Sequence, residues 1–123
     1  MVTREYSSYI GIPYEQLDCF HLAKMFYWEQ FNVRLKHYYE ETPNDRHEMK
    51  NLIYSNMGDF VQVEYPEFGD LILFRIFGVE SHIAIYLGEG MFLHSIKGVG
   101  SCMEKLERWN RHVSGYYRLK ELK

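Results

Sequence analysis

The stretch that most constrains how this chain can fold runs from Gly69-Asp70-Leu71-Ile72-Leu73-Phe74 through Ser81-His82-Ile83-Ala84-Ile85-Tyr86-Leu87 to Met91-Phe92-Leu93-His94-Ser95. Leu71 to Phe74 is a short apolar run between turn residues, as in a strand covered on both faces. The second segment alternates, so His82, Ala84 and Tyr86 share one face and Ile83, Ile85 and Leu87 the other. Gly88-Glu89-Gly90 then reverses the chain. Read as a three-residue loop, it pairs Leu87 with Met91 and places His94 opposite Ala84, leaving the two histidines as diagonal neighbours about 7–8 Å apart on one face. A two-residue loop would instead pair His94 with Ile83 and send its ring to the opposite side. Two imidazoles on one face are what a base and its orienting partner require.

The chain has 123 residues, enough for one core and one domain, here taken as residues 1–123. A net charge of −3 without a basic block provides no footprint for nucleic acid, and none is expected as a direct partner. The first residues lack the apolar core of a secretory signal and no apolar run reaches membrane-spanning length, so a soluble, cytoplasmically made protein without membrane insertion is expected. Two cysteines, Cys19 and Cys102, are too few for a disulfide framework and read as free thiols. Aromatic residues reach 17%, an excess that would suit a partner surface or a ligand groove.

Asp18 is an N-cap candidate for a helix from Cys19 to about Phe31, which places Cys19 in the first turn, where unpaired N–H groups and the helix dipole favour a thiolate. Asn44-Asp45 is a candidate cap for a second helix reaching about Asn56. Phe60-Val61-Gln62-Val63 and Val113 to Leu119 read as strands, Cys102 as part of a loop, and Met103 to Trp109 as a short helical turn. Helices first and antiparallel strands after indicate an α+β domain with N-terminal helices packed on one side of an antiparallel sheet.

Asp18-Cys19 at a helix start, Gly69-Asp70-Leu71 opening a strand, Ser81-His82-Ile83-Ala84-Ile85-Tyr86-Leu87-Gly88 and Phe92-Leu93-His94 together resemble the NlpC family of papain-like cysteine peptidases. The resemblance extends from Ile10 to Leu119 and is weakest between residues 32 and 60. It implies the papain-like α+β fold, with Cys19 as nucleophile, His82 as general base and acid, and His94 as the residue that orients His82. Tyr14, Phe20, His21 and Ser81 become the substrate-binding positions. Phe20-His21 stands where the family usually has Ser-Gly, and is expected to narrow the pocket. The Gly-Gly loop usual ahead of the cysteine is missing between Tyr14 and Asp18.

The wording Gly69 to Arg75 with Met91 to Ser95 is most similar to members associated with bacteriophage tails. That likeness implies hydrolysis of an amide in peptidoglycan stem peptides, tail-tip or baseplate proteins as partners, and a passage from the host cytoplasm during assembly to the virion tail tip. The rival reading is a catalytically silent structural component of the tail tip. A metal site from Cys19, His21, His82 and His94 has suitable ligand types but not a usual zinc spacing, so no metal or cofactor is expected.

Overall fold

The computed structural model describes residues 6–35, 50, 51, 53, 54 and 57–120. After a 3-10 turn at Ser7–Tyr9 comes helix α1, Cys19–Phe31. It begins where expected because the Asp18 carboxylate accepts the His21 backbone N–H at 2.8 Å, satisfying one of the donors a helix start leaves open. It ends at Asn32, whose left-handed backbone, φ 56°, returns its N–H to the carbonyls of Trp28 and Tyr27. The second expected helix is represented by Lys50, Asn51, Ile53 and Tyr54, which are helical, while its expected cap, Asn44-Asp45, lies outside the described residues.

Among the described residues six strands follow: β1 (Phe60–Val63), β2 (Leu71–Ile76), β3 (Val79–Gly88), β4 (Met91–Ile96), β5 (Gly100–Lys105) and β6 (Val113–Leu119). They form one sheet in the order β1-β6-β2-β3-β4-β5, with every neighbouring pair antiparallel. The expected helical turn from Met103 is corrected. Met103 to Lys105 complete β5, and 3-10 turns at Leu106–Arg108 and Asn110–His112 lead into β6. Residues 97–99 form a tight reversal that lets the chain pair back on β4, and that pairing outweighs the local helical spacing.

Strand β2 is covered on both faces, with Leu71 to Phe74 all at most 1% exposed. Leu71 and Leu73 join Ile83, Ile85 and Leu93 against Leu22, Ala23, Phe26 and Tyr27 of α1. Ile72 and Phe74 join Ala84 and Phe92 on the other face, beneath Leu106, Trp109, Val113 and Tyr116. Each such aliphatic or phenyl side chain stabilises the fold by about 1.5–3 kcal/mol on burial. The sheet therefore separates a helix-facing core from a smaller aromatic one.

Two ties hold the ends of this arrangement. Asp70, 2% exposed, accepts from Arg118 Nε at 3.0 and 3.2 Å and from Nη2 at 2.8 Å, joining the start of β2 to the end of β6. Gly11 and Ile12 lace onto β5. Gly11 N–H donates to the Ser101 carbonyl at 2.8 Å, Ser101 N–H to the Ile12 carbonyl at 2.9 Å, and Ile12 N–H to Ser101 Oγ at 2.8 Å. The approach needs glycine at 100, since its φ is +93° and a Cβ there would stand 2.6 Å from the Ile12 carbonyl oxygen. The segment leading to Cys19 is thus anchored to the strand that follows His94.

Candidate active site

The β3–β4 turn decides where the histidines point. It is a two-residue loop, with Gly88 paired to Met91 and positive φ at Glu89 (53°) and Gly90 (77°), as a type I′ hairpin demands. This corrects the expected three-residue loop. The feared flip of His94 is nevertheless avoided, because a bulge at Leu87 absorbs one residue and restores Tyr86 opposite Phe92 and Ile85 opposite Leu93. Continued outward, that register puts His94 at the level of Ala84, on the face of His82.

The rings meet there. His82 Nε2 and His94 Nδ1 are 2.9 Å apart, and His94 Nε2 stands 2.6 Å from Glu104 Oε2. Glu104 Oε1 accepts from Trp109 Nε1 at 3.1 Å. Phe74 lies against His82 at 5.8 Å between centroids, Phe92 against His94 at 4.6 Å, and the Trp109 ring meets His94 edge-on at 5.1 Å. His94 is fully buried and His82 partly exposed. Burial, then the neighbouring His94, push the His82 imidazole down to about 3. Burial also lowers His94, against a raising pull from Glu104. Both rings are neutral at neutral pH.

Cys19 reaches this place from the opposite side of the sheet. It is 2% exposed and belongs to the helix-facing core. Tyr86 N–H bonds back to Asp70 on the β2 side, so alternate amides of β3, Ile83 among them, turn toward β4. Pairing between β3 and β4 stops at Ile85 and Leu93. The Ile83 N–H, one residue from His82, acts on the Cys19 sulfur and favours its thiolate. Among the described residues no hydrogen bond joins Cys19 to His82, and His82 Nδ1 has no hydrogen-bond partner.

The electrostatics of Cys19 depart from the expectation of a lowered thiol. Burial, then the Asp18 carboxylate, push it up to about 12, and the N–H groups of Ile83, Phe20 and Cys19 offset this only in part. Desolvation outweighs the helix N-terminus because the sulfur is enclosed and the N-cap itself is an anion. The raised thiol and the lowered imidazole both favour the neutral forms, in place of the ion pair a lowered thiol would form.

The other expected positions are scattered around the thiol. Tyr14, half-buried, has its phenol pKa raised by burial and then by Cys19 and Asp18, which places it within electrostatic reach of the sulfur. Phe20 is 2% exposed inside the helix-facing core and packs there, so any narrowing of an open groove falls to His21. His21 is partly exposed, with Nδ1 2.8 Å from Asp18 Oδ1. Ser81 is buried and donates its hydroxyl to the Val79 carbonyl at 3.2 Å.

Glu104 and Trp109 were not legible as site residues, since a helical reading of residues 103–109 hides which face they occupy. Counting back from the 97–99 reversal as a hairpin would have found the first of them: Cys102 falls opposite His94 and Glu104 opposite Phe92. Cys102 is a free thiol as expected, but on a strand and not in a loop. It sits on β5 with Sγ 4.0 Å from Glu104 Oε2, and burial followed by that carboxylate raises its pKa. The four residues weighed as a metal site are not gathered. The donor set that does converge among the described residues is His94, Cys102 and Glu104, within 4.8 Å of one another and engaged in hydrogen bonds.

A sequence model of the NlpC/P60 family matches residues 4–118. Among solved structures, the NlpC/p60 domain of the peptidoglycan hydrolase SagA aligns with a TM-score of 0.62 at 18% identity, over 91% of each chain. An NLP/P60 family protein similar to lipoproteins from Staphylococcus aureus gives 0.53 at 24% identity, and an NlpC/P60 family protein from Bacillus cereus 0.56 at 21%. Both cover 83% of this chain, which spans only 32% and 31% of their lengths. No curated protein matches the sequence. The structural likenesses establish the α+β papain-like fold.

Proposed function

The chain belongs to the NlpC/P60 family, and from that premise we propose that it is a cysteine peptidase hydrolysing an amide bond in peptidoglycan stem peptides. The observation that carries this reading is the hydrogen-bonded row Glu104–His94–His82, which ends in an open ring nitrogen one residue from the Ile83 N–H that acts on the Cys19 sulfur. As the sulfur attacks the amide carbonyl carbon, its proton passes to His82 Nδ1. The oxyanion is met by the Cys19 N–H at the start of α1, a donor of a kind worth roughly 3 kcal/mol. His82 then gives the proton to the leaving amine as the C–N bond breaks. Water, deprotonated by the same nitrogen, hydrolyses the thioester. Sγ and Nδ1 must close on each other when substrate binds, since such contacts tighten in the Michaelis complex.

A tail-tip setting is part of the proposal. Its support is the wording Gly69 to Arg75 and Met91 to Ser95, together with exposed aromatics such as Tyr65 and Phe77 that offer contact area for tail-tip or baseplate proteins. Synthesis in the host cytoplasm and final residence in the virion tail go with it. No helix among the described residues is long and apolar enough to cross a membrane.

One observation favours a catalytically silent structural component: the enclosed, protonated Cys19 without a bond to His82. Digestion of purified peptidoglycan, read by mass spectrometry beside the Cys19→Ala protein, separates the two. New stem-peptide ends from the parent and none from the variant are expected. Identical digests from both would leave the structural role.

A further inference from the structure

The hydrogen bonds behind His82 have a direction, and Glu104 sets it. A carboxylate can only accept, so the 2.6 Å contact with His94 is donated by His94 Nε2–H, and the 3.1 Å contact by Trp109 Nε1–H. A neutral imidazole carries one N–H. With that proton on Nε2, His94 Nδ1 is a bare acceptor, and the 2.9 Å contact between the rings is donated by His82 Nε2–H. The remaining nitrogen of His82, Nδ1, is then left with its lone pair. A group two hydrogen bonds away thereby decides which nitrogen of His82 can take a proton.

We propose that Glu104, oriented by Trp109, is a positioning residue that works through His94 to keep His82 Nδ1 unprotonated and able to accept from Cys19. The acceptance from Cys19 rests on the peptidase reading, whereas the placement of the protons does not. The arrangement is built to hold. Glu104 lies on β5 next to β4, and Trp109 is presented by a turn whose Leu106 N–H donates to the Gly90 carbonyl at 2.7 Å and whose Trp109 N–H donates to the Leu106 carbonyl at 2.9 Å. The indole also covers the relay, its ring meeting both His94 and His82. The remaining titratable group at the carboxylate is Cys102, protonated and 4.0 Å away.

Trp109 makes the proposal sharply testable. In Glu104→Gln the indole N–H still needs an acceptor, so the amide oxygen must face Trp109 and its NH₂ must face His94. That NH₂ cannot accept a proton. His94 Nε2 becomes the acceptor, its proton moves to Nδ1, and His82 is forced to carry its own proton on Nδ1, closing the base. Adding Trp109→Phe removes the demand, lets the amide turn over, and returns both rings to their first state.

Histidine side-chain nitrogen NMR at neutral pH reads this directly. The unsubstituted protein is expected to hold both rings as Nε2–H, Glu104→Gln to hold both as Nδ1–H, and the double variant to revert. Turnover of muropeptides should fall roughly 10²-fold to 10⁴-fold in Glu104→Gln with KM little changed, the upper end being the loss a wrong tautomer causes in a serine triad. The double variant should recover at least about 10-fold of it. An Nδ1–H tautomer of His82 in the unsubstituted protein, or Nε2–H rings retained in folded Glu104→Gln, would overturn the proposal. So would a double variant no better than the single one. A tautomer swap in a protein that cuts no peptidoglycan would keep the role of Glu104 and remove the peptidase reading.

Discussion

At the scale of single residues the protein is governed by desolvation. Cys19 occupies the helix position expected to favour a thiolate, yet enclosure beside Asp18 holds it protonated, with its pKa near 12. Iodoacetamide at pH 7–8, followed by peptide mapping, is therefore expected to label half-buried Cys102 ahead of Cys19 in substrate-free protein. Prior labelling of Cys19 would mean that a thiolate is already formed at rest. The imidazoles make a second prediction. Their folded pKa values are lowered, so the unfolded chain takes up protons from about pH 6.5 downward while folded His82 resists until about 3. Stability they contribute is full above pH 6.5 and lost as pH falls through that window, by at most about 1.4 kcal/mol per pH unit for each ring. Urea midpoints at pH 7 and 5 should differ less in His82→Asn than in the parent.

At the level of elements, backbone pairing sets the sheet, and an ion pair ties the end of β6 to the start of β2. Arg118 on β6 is chelated by Asp70 ahead of β2 and also approaches Glu67 at 3.5 Å. Arg118→Met leaves a buried carboxylate with only the Glu67 N–H, at 2.7 Å, and is expected to cost about 3 kcal/mol, the lower end for opening a buried pair. A urea midpoint unchanged in that variant would show the pair to be dispensable. The β3–β4 hairpin illustrates how much rests on one residue of register. Its loop is one residue shorter than expected, and the bulge at Leu87 makes up the difference. Hydrophobic alternation reports the face of His82, but Phe92 and Leu93 are both buried, so the face of His94 depends on loop length and bulge together.

For the whole molecule, the site is assembled from parts distant in sequence: a helix start at residue 19, two strand histidines, and a carboxylate and indole at 104 and 109. The segment ahead of Cys19 is held by β5 through Ser101, and Gly100 allows the contact. Gly100→Ala would force a Cβ against the Ile12 carbonyl in a left-handed backbone, costing about 1–3 kcal/mol. Thermal unfolding should detect this as a fall of several degrees. Muropeptide turnover should drop beyond what the lost folded fraction explains, since Tyr14 and Cys19 follow directly; an unchanged Tm would mean that the strap is loose.

Legible from the residues alone were the features with a local cause: the Asp18 cap and the helix behind it, the doubly covered run at 71–74, and the alternation that puts His82 with Ala84 and Tyr86 on one face of β3. These follow from hydrogen bonds within a few residues or from a hydrophobic period. Tertiary structure decided the rest. Residues 103–105 became strand because β4 offered an unpaired edge, and only that pairing brings Glu104 beneath His94. Phe20, which looked like a pocket residue, went into the core because α1 turns that face to the sheet. The protonation of Cys19 was reversed for the same kind of reason, since a thiol's pKa depends on how completely the folded chain excludes water from it, and that enclosure is a property of the packed molecule.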